Sequence, residues 1–149
     1  MLAANAVSNA VNSSEWVFPI FECFHIAAFA FSIGMIALVD LALLGVGIQH
    51  SKPSELARAT ELWTVLGLVI VLMSGPVLFL SDPRMYFYNS SFRFKMVALA
   101  TALVFNFTIH RKVALGDGSP RAFRMMTAAI SLALWASVVF GGLFIAFTC

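Results

Sequence analysis

Four long apolar segments decide most of what this chain of 149 residues can fold into. They run over residues 17–46, 62–80, 92–109 and 122–147. A helix needs about 20 apolar residues to cross the hydrocarbon core of a bilayer, which is about 30 Å thick. The composition agrees, because 61% of the residues are hydrophobic and only 11% are charged, whereas soluble domains are far more polar. We therefore predict an all-α membrane protein that forms a single transmembrane domain over residues 1–149.

The breaks between these segments carry turn-forming residues. Pro53, Pro83 and Pro120 lie in them, together with a glycine–aspartate–glycine turn signal at residues 116–118. Short connections of this kind join neighbouring helices that run in opposite directions. The predicted fold is therefore a four-helix antiparallel transmembrane bundle, preceded by a short N-terminal interfacial helix over residues 3–12.

The distribution of lysine and arginine predicts the orientation in the membrane. The breaks at 49–61 and 110–124 hold six of these residues, and the opposite side holds three, Arg84, Arg93 and Lys95. Because cytoplasmic loops are enriched in positive charge, we expect the first side in the cytoplasm and both termini in the periplasm of a bacterial inner membrane. The lipid bilayer is then the main partner, and a net charge of +2 without a basic run argues against nucleic acid.

Glu22 and His25 are ionisable residues inside the first apolar segment. Ionisable side chains are costly in hydrocarbon, and they usually face a bundle interior, a cavity or a cofactor. A spacing of three residues places both side chains on one face of a helix. We therefore expect the functional site around this pair.

Residues of the other segments fall near the same depth. At a rise of about 1.5 Å per residue, Met73 and Ser74 on the second segment lie close to the level of His25. Lys95 begins the third segment, from which it can pair with Glu22 or extend to the lipid headgroups. On the fourth segment, the glycine pair at 141–142 permits close helix packing or leaves room for a flat ligand.

An imidazole inside a membrane bundle has three chemical uses. It ligates haem iron, it binds copper together with sulfur ligands, or it relays protons with Glu22. A fourth alternative is a hydrogen-bonded core histidine that only holds helices together. The haem hypothesis places haem b on His25, with Met73 as a second axial ligand. Glu22 and Lys95 would then tune the site or bind a haem propionate, whereas copper would use the sulfur atoms of Met73, Met96 and Cys23.

A second polar cluster is expected at the cytoplasmic end of the bundle. Asp40 lies late in the first segment, where we expect an interfacial ion pair with Arg111 or Arg58. His110 ends the third segment at a depth that differs from that of His25 by roughly 15 Å, which is too far for the two to share one iron. It is therefore expected to serve only a second site.

Three stretches of the sequence carry a family resemblance. They are Trp-Val-Phe-Pro-Ile-Phe-Glu-Cys-Phe-His-Ile at 16–26, Ile-Ala-Leu-Val-Asp-Leu-Ala-Leu-Leu-Gly at 36–45 and Phe-Arg-Phe-Lys-Met at 92–96. Together they resemble an uncharacterised family of short bacterial inner-membrane proteins with four spans. The resemblance covers nearly the whole chain and implies the four-span fold, without an activity that can be carried over.

A more distant resemblance is to the HemJ-type protoporphyrinogen oxidases and the CopD-like copper-resistance membrane proteins. HemJ-type proteins place a histidine in the outer part of the first span, a lysine at the start of a later span and an Arg-Phe-rich entry to the last span. His25, Lys95 and residues 121–124 stand in those places here. Because HemJ-type proteins are associated with b-type haem, the resemblance implies haem on His25. Asn106 replaces their later paired histidines and their Asn-Glu-x-Pro stretch is missing, so porphyrinogen oxidation itself is not implied.

Two functions of different classes follow. The first is a small b-type cytochrome-like protein that binds haem through His25 and exchanges electrons with a periplasmic or membrane redox partner. The alternative is a cofactor-free structural or accessory subunit of a larger membrane complex or homo-oligomer, in which Glu22, His25 and Lys95 form a buried polar network. Copper handling, small-molecule transport and porphyrinogen oxidation are further alternatives, and the sequence leaves open whether the protein is an enzyme.

Overall fold

The computed structural model describes residues 16–46, 52–116 and 118–148, and every regular element among them is helical. In chain order the elements are α1 (Val17–Leu44), α2 (Pro53–Ser81), α3 (Pro83–Tyr88), α4 (Ser90–Phe105), a π-helical segment (Asn106–His110), α5 (Arg111–Leu115) and α6 (Arg121–Thr148). The predicted all-α fold is therefore confirmed. The interfacial helix predicted at residues 3–12 lies outside the described residues.

Four helical stretches of the described chain are long and apolar enough to cross a membrane. They are Val17–Leu44, Pro53–Ser81, Ser90–Leu115 and Arg121–Ile145. These stretches correspond to the four predicted spans, and many of their large apolar side chains point outward, where lipid chains would cover them. The protein is therefore a multi-pass membrane protein. The second span differs from its prediction, because its helix begins at Pro53 rather than near residue 62.

Local sequence signals set the helix ends. Gly45 ends α1 with a φ of 76°, and its N–H donates to carbonyl groups of the last turn. Pro53 begins α2, where its missing N–H costs no hydrogen bond. The Asp82 and Asn89 side chains each accept a hydrogen bond of 3.1 Å from a backbone N–H of the helix that follows. These two caps shape the connection between α2 and α4, which contains the short helix α3.

Consecutive spans run in opposite directions around two apolar clusters. α1 packs against α2 and α6, and α4 packs against α6. We name the two ends of the bundle the Trp16 side and the Pro53 side, after residues at the beginning of α1 and α2. The cluster at the middle of the bundle contains Ile36, Leu68, Leu99, Ala102, Trp135 and Val138. The cluster nearer the Pro53 side contains Val39, Leu43, Ala57, Val113, Ala114 and Ala128.

The third span is interrupted by the π-helical segment, which the sequence analysis did not predict. Asn106 and His110 at its two ends are buried, whereas the three residues between them are exposed. π turns are rare in proteins and are frequent at functional sites. The segment therefore directs attention to Asn106 and His110.

A close contact between α1 and α2 depends on Gly67. A Cβ atom at this position would collide with the Ser32 hydroxyl and would approach the Ala28 carbonyl oxygen to 3.2 Å. Ser32 is fully buried and donates a hydrogen bond of 2.8 Å to the same carbonyl, so it has little freedom to move aside. We expect Gly67→Ala to lower the free energy of unfolding by about 1–3 kcal/mol, because overpacking displaces the two helices.

Unfolding of the purified variant in mixed detergent micelles measures this loss. Gly34→Ala is the matched control on the neighbouring helix, because a Cβ atom there would meet nothing within 4 Å. Alanine is the better helix former, so the control is expected to match or slightly exceed the wild-type stability. Equal stabilities of the two variants would show that the contact at Gly67 is looser than the structure indicates.

Candidate functional site

Two groups of polar and ionisable side chains lie inside the bundle at different depths. The group toward the Trp16 side, which we name the histidine–lysine cluster, consists of His25, Ser74 and Lys95. The group toward the Pro53 side, which we name the buried triad, consists of Asp40, His110 and Ser131. α1 contributes one residue to each group, and the two residues are about 22 Å apart along that helix.

The His25 ring is oriented by Ser74 of α2. Its Nδ1 atom lies 2.7 Å from Ser74 Oγ. The hydroxyl proton of Ser74 is engaged elsewhere, because Oγ donates to the Ile70 carbonyl oxygen over 2.7 Å and a hydroxyl carries a single proton. Nδ1 must then be the donor, and this hydrogen-bond network assigns the neutral ring the tautomer in which Nε2 keeps its lone pair. No described residue hydrogen-bonds to Nε2, so this atom is available to a ligand.

Lys95 brings a positive charge to the same part of the bundle. Its side chain lies against α6, where Cβ atoms on Gly141 and Gly142 would each come within 3.2 Å of it. Its ammonium lies 5.7 Å from the centroid of the Phe29 ring, which is a cation–π contact. Within the described part of the chain, no carboxylate forms an ion pair with it. The glycine pair therefore serves close packing, and the ammonium is free to take an anionic partner.

The other two predicted site residues lie away from this cluster. Glu22 is exposed, and the described ion pairs do not include a Glu22–Lys95 pair. Met73 is 71% exposed, whereas its neighbour Ser74 is 8% exposed and contacts His25. Successive helical residues point about 100° apart, so the rotation of α2 that directs Ser74 inward directs Met73 toward lipid. The structure therefore does not place Met73 as a second axial ligand beside His25.

The buried triad joins three helical elements through one carboxylate. Asp40 of α1 is fully buried, and its Oδ1 accepts a hydrogen bond of 2.7 Å from His110 Nε2. Its Oδ2 accepts a hydrogen bond of 2.7 Å from the hydroxyl of Ser131 on α6. An unpaired charge in an apolar interior is very costly, and here both carboxylate oxygens have polar partners.

The predicted ion pair of Asp40 with Arg111 or Arg58 is wrong. Arg111 instead donates to Glu61 of α2, with its Nε atom 2.6 Å from Oε1, and Arg58 is exposed. Depth along α1 suggested that Asp40 lies at the membrane interface. The π-helical segment, however, turns His110 against the carboxylate, and α6 covers its other oxygen.

A small cavity borders the buried triad. It has a volume of about 50 Å³, is partly open to the outside and is lined by α1, α2, the π-helical segment and α5. Its polar lining residues include Thr60, Thr64, Asn106 and His110. The Oδ1 atom of Asn106 is buried and has no hydrogen-bond partner in the structure, and the Thr64 hydroxyl makes no hydrogen bond to a described residue. Buried polar groups of this kind require water or a ligand.

The two groups offer different chemistry. The histidine–lysine cluster presents one nitrogen lone pair beside one unpaired cation, which suits a ligand that contains both a metal and an anionic group. The buried triad presents a histidine backed by a carboxylate, which suits proton exchange. In the described ranges, no three His, Cys, Asp or Glu side chains are grouped so that they could hold a metal ion by themselves.

Comparison with known proteins identifies a family whose function is unknown. Residues 14–148 match the model of a family of unknown function (DUF6644). No curated protein and no solved structure matches the chain. The chemistry of the site therefore has to be derived from its own geometry.

Proposed function

Because the chain belongs to DUF6644, a family of unknown function, we propose from its geometry that it is a small membrane protein that binds haem b and transfers electrons. One observation carries this proposal, the orientation of His25 by Ser74. A histidine that ligates a metal almost always donates its other ring N–H to a fixed partner, which sets the tautomer and the direction of the ring. Here Nδ1 is engaged with Ser74 over 2.7 Å, and Nε2 is the remaining ligand atom.

The Lys95 ammonium supports the same ligand. The propionate groups of haem b are anionic at neutral pH, and a cation in a membrane bundle requires a counter-charge. Lys95 has no carboxylate partner among the described residues, while its charge acts on the His25 ring. We infer that Lys95 binds a propionate while His25 binds the iron. The distant resemblance to HemJ-type proteins, which place a histidine and a lysine in corresponding positions, agrees with this assignment.

Haem bound at this cluster would supply one-electron oxidation and reduction. The chain's own residues would bind the iron through His25, orient that ring through Ser74 and neutralise a propionate through Lys95. Since Met73 is 71% exposed, His25 is the one described residue at this depth that we expect to bind the iron. We therefore expect carbon monoxide to bind the reduced, haem-loaded protein.

The orientation in the membrane follows from the charge distribution. The Pro53 side is richer in lysine and arginine than the Trp16 side, which supports an orientation with the Pro53 side in the bacterial cytoplasm and both termini in the periplasm. The histidine–lysine cluster then lies in the periplasmic half of the membrane. Its electron partner would be a periplasmic protein or a membrane redox carrier.

A cofactor-free structural or accessory subunit is the second candidate, and the buried triad favours it. The hydrogen bonds of Asp40 join α1, the π-helical segment and α6 without a ligand. Polar networks inside a membrane bundle fix the packing and register of its helices. Under this function, the Ser74 contact of His25 would only hold α1 against α2.

Absorption spectroscopy distinguishes the two functions. We expect protein purified in detergent from haem-replete bacteria to show a Soret band, reduced α and β bands after dithionite, and haem in equimolar amount by the pyridine haemochrome assay. Carbon monoxide should shift the reduced Soret band, because His25 is the one described residue at this depth that we expect to bind the iron. A colourless preparation that also fails to bind added haemin would overturn the haem proposal and leave the structural subunit.

A further inference from the structure

We propose that the buried triad is a proton-exchange site, in which His110 takes up and releases a proton through water held in the small cavity that borders the triad. The inference goes beyond haem binding and does not depend on it, because none of the groups involved belongs to the histidine–lysine cluster. It rests on the hydrogen bonds of Asp40, on the cavity beside His110 and on the unpartnered polar atoms that line it.

The hydrogen bonds of the triad determine where the proton binds. Asp40 accepts at both oxygens, from His110 Nε2 and from Ser131 Oγ, each over 2.7 Å. The neutral ring therefore carries its proton on Nε2 and has a lone pair on Nδ1, to which no described residue hydrogen-bonds. A proton from water binds Nδ1, and the pair changes from a carboxylate with a neutral imidazole to a carboxylate with an imidazolium. No other bond forms or breaks.

The cavity supplies the water. A water molecule needs about 10–15 Å³ of such space, so a cavity of about 50 Å³ holds about three to five molecules. Each needs polar partners, and the lining offers the Asn106 amide oxygen and the Thr64 hydroxyl, neither of which is hydrogen-bonded to a described residue. His110 lines the same cavity and is otherwise enclosed, with 5% of its surface exposed. Water in this cavity is therefore the route by which a proton reaches the ring.

Other charged groups around the pair come from three elements. Glu61 of α2 and Arg111 of α5 line the cavity and neutralise each other in a partly exposed ion pair. Arg124 of α6 lies two turns before Ser131 on the same helix face, and its Nε atom is buried without a partner in the described structure. The Nδ1 atom of His110, to which no described residue hydrogen-bonds, is the atom that takes up the proton.

Nuclear magnetic resonance of protein labelled with ¹⁵N at histidine, in lipid nanodiscs and without added haem, tests the proposal. The His25→Gln and His50→Gln variants assign the His110 signals. We expect His110 to change from the Nε2–H tautomer to the doubly protonated ring as the pH is lowered, and its ring protons to exchange with water. A ring that keeps one form over the whole pH range in which circular dichroism shows intact helices would overturn the proposal.

Two variants separate proton exchange from a purely structural role. Asp40→Asn removes the negative charge, so the ring should gain its proton at lower pH. Ser131→Ala removes a donor to the carboxylate, which then holds the imidazolium more strongly, so the ring should gain its proton at higher pH. If Asp40→Asn does not fold, the shift in Ser131→Ala decides, because an unshifted titration there contradicts the triad.

A pair of matched variants tests whether protons reach His110 through the cavity. Thr64→Val replaces an unpartnered hydroxyl in the cavity by a methyl group of similar size, and we expect slower exchange of the His110 ring protons. Thr108→Val makes the same change on the exposed face of the π-helical segment, and we expect no effect. Equal exchange rates in both variants would show that protons do not enter through the cavity. Haem loading plays no part in these measurements, so failure here and failure of the haem proposal are separate results.

Discussion

The His110→Leu variant is expected to lose about 3 kcal/mol of unfolding free energy or more, since it removes one of the two hydrogen bonds to a buried carboxylate, and a charged group left unsatisfied costs more than a neutral one. Asp40 is fully buried and His110 supplies one of its two hydrogen bonds, so the carboxylate would keep only the Ser131 hydroxyl. The carboxylate must then take up a proton or stay charged inside the bundle, and both states are unfavourable at neutral pH. Reversible unfolding in mixed micelles of a mild detergent and SDS measures the loss.

Two further variants show whether the loss comes from the unpaired charge. In the double variant Asp40→Leu with His110→Leu, the whole pair is replaced by apolar groups, and we expect a smaller loss than in the single variant. Arg111→Leu breaks the partly exposed pair with Glu61, and such a pair contributes about 0–1 kcal/mol. If His110→Leu costs no more than Arg111→Leu, the triad does not hold a buried charge.

The transmembrane fold could be predicted because apolar length is a strong signal. A stretch of about 20 apolar residues has few alternatives to a membrane helix, so composition predicted the four helices that are long and apolar enough to cross a membrane. Their ends were less predictable. α2 begins at Pro53, because the polar turns before residue 62 continue the helix beyond the apolar stretch that marks the span. Apolar composition indicates which residues contact the hydrocarbon of the membrane. The residue at which the helix begins or ends depends instead on the capping residues.

The partners of the ionisable residues could be predicted only in part. Depth along a helix identified Ser74 and Met73 as level with His25. Depth does not show which of the two faces His25, because adjacent side chains on a helix point about 100° apart and the choice depends on the rotation of α2 about its axis. The structure selects Ser74. Depth likewise placed Lys95 near Glu22, although α1 turns Glu22 outward.

The buried triad was less accessible to sequence reasoning. Its partner residue His110 lies in a π-helical turn, for which the sequence has no known signal, and Ser131 is a serine in an otherwise apolar helix. Serine hydroxyls in membrane helices commonly bond their own helix, as Ser137 does with the Ala133 carbonyl oxygen. The spacing of Asn106 and His110, which places two polar residues one turn apart inside an apolar span, is the sequence feature that could have indicated a buried polar site here.

Removal of the His25 imidazole is expected to abolish haem loading while leaving the helices intact. His25→Ala deletes the iron ligand that the described residues offer at this depth, and we expect a colourless protein with unchanged helical content by circular dichroism. Added imidazole should restore haem binding if the cavity left by the substitution can hold the free ligand. Met73→Leu is the control, because Met73 is 71% exposed, and this variant should keep its full haem content.

Ser74→Ala separates a ligand from a core histidine, because it keeps the imidazole and removes only the group that orients it. Loss of an outer-shell partner of a metal-binding histidine typically weakens binding by about 10–100-fold, and we expect a loss of this size in haemin titrations. Ser137→Ala is matched to it, since the Ser137 hydroxyl also bonds its own helix but touches no histidine, and we expect wild-type affinity. Wild-type affinity in Ser74→Ala would mean that the 2.7 Å contact does not prepare His25 for iron. Loss of haem in Met73→Leu would instead show that the Met73 sulfur atom binds the iron. The α2 helix would then have to be rotated about its axis relative to the structure. Because the two outcomes involve neighbouring residues on one turn, the pair of variants tests the orientation of this helix as directly as it tests the ligand.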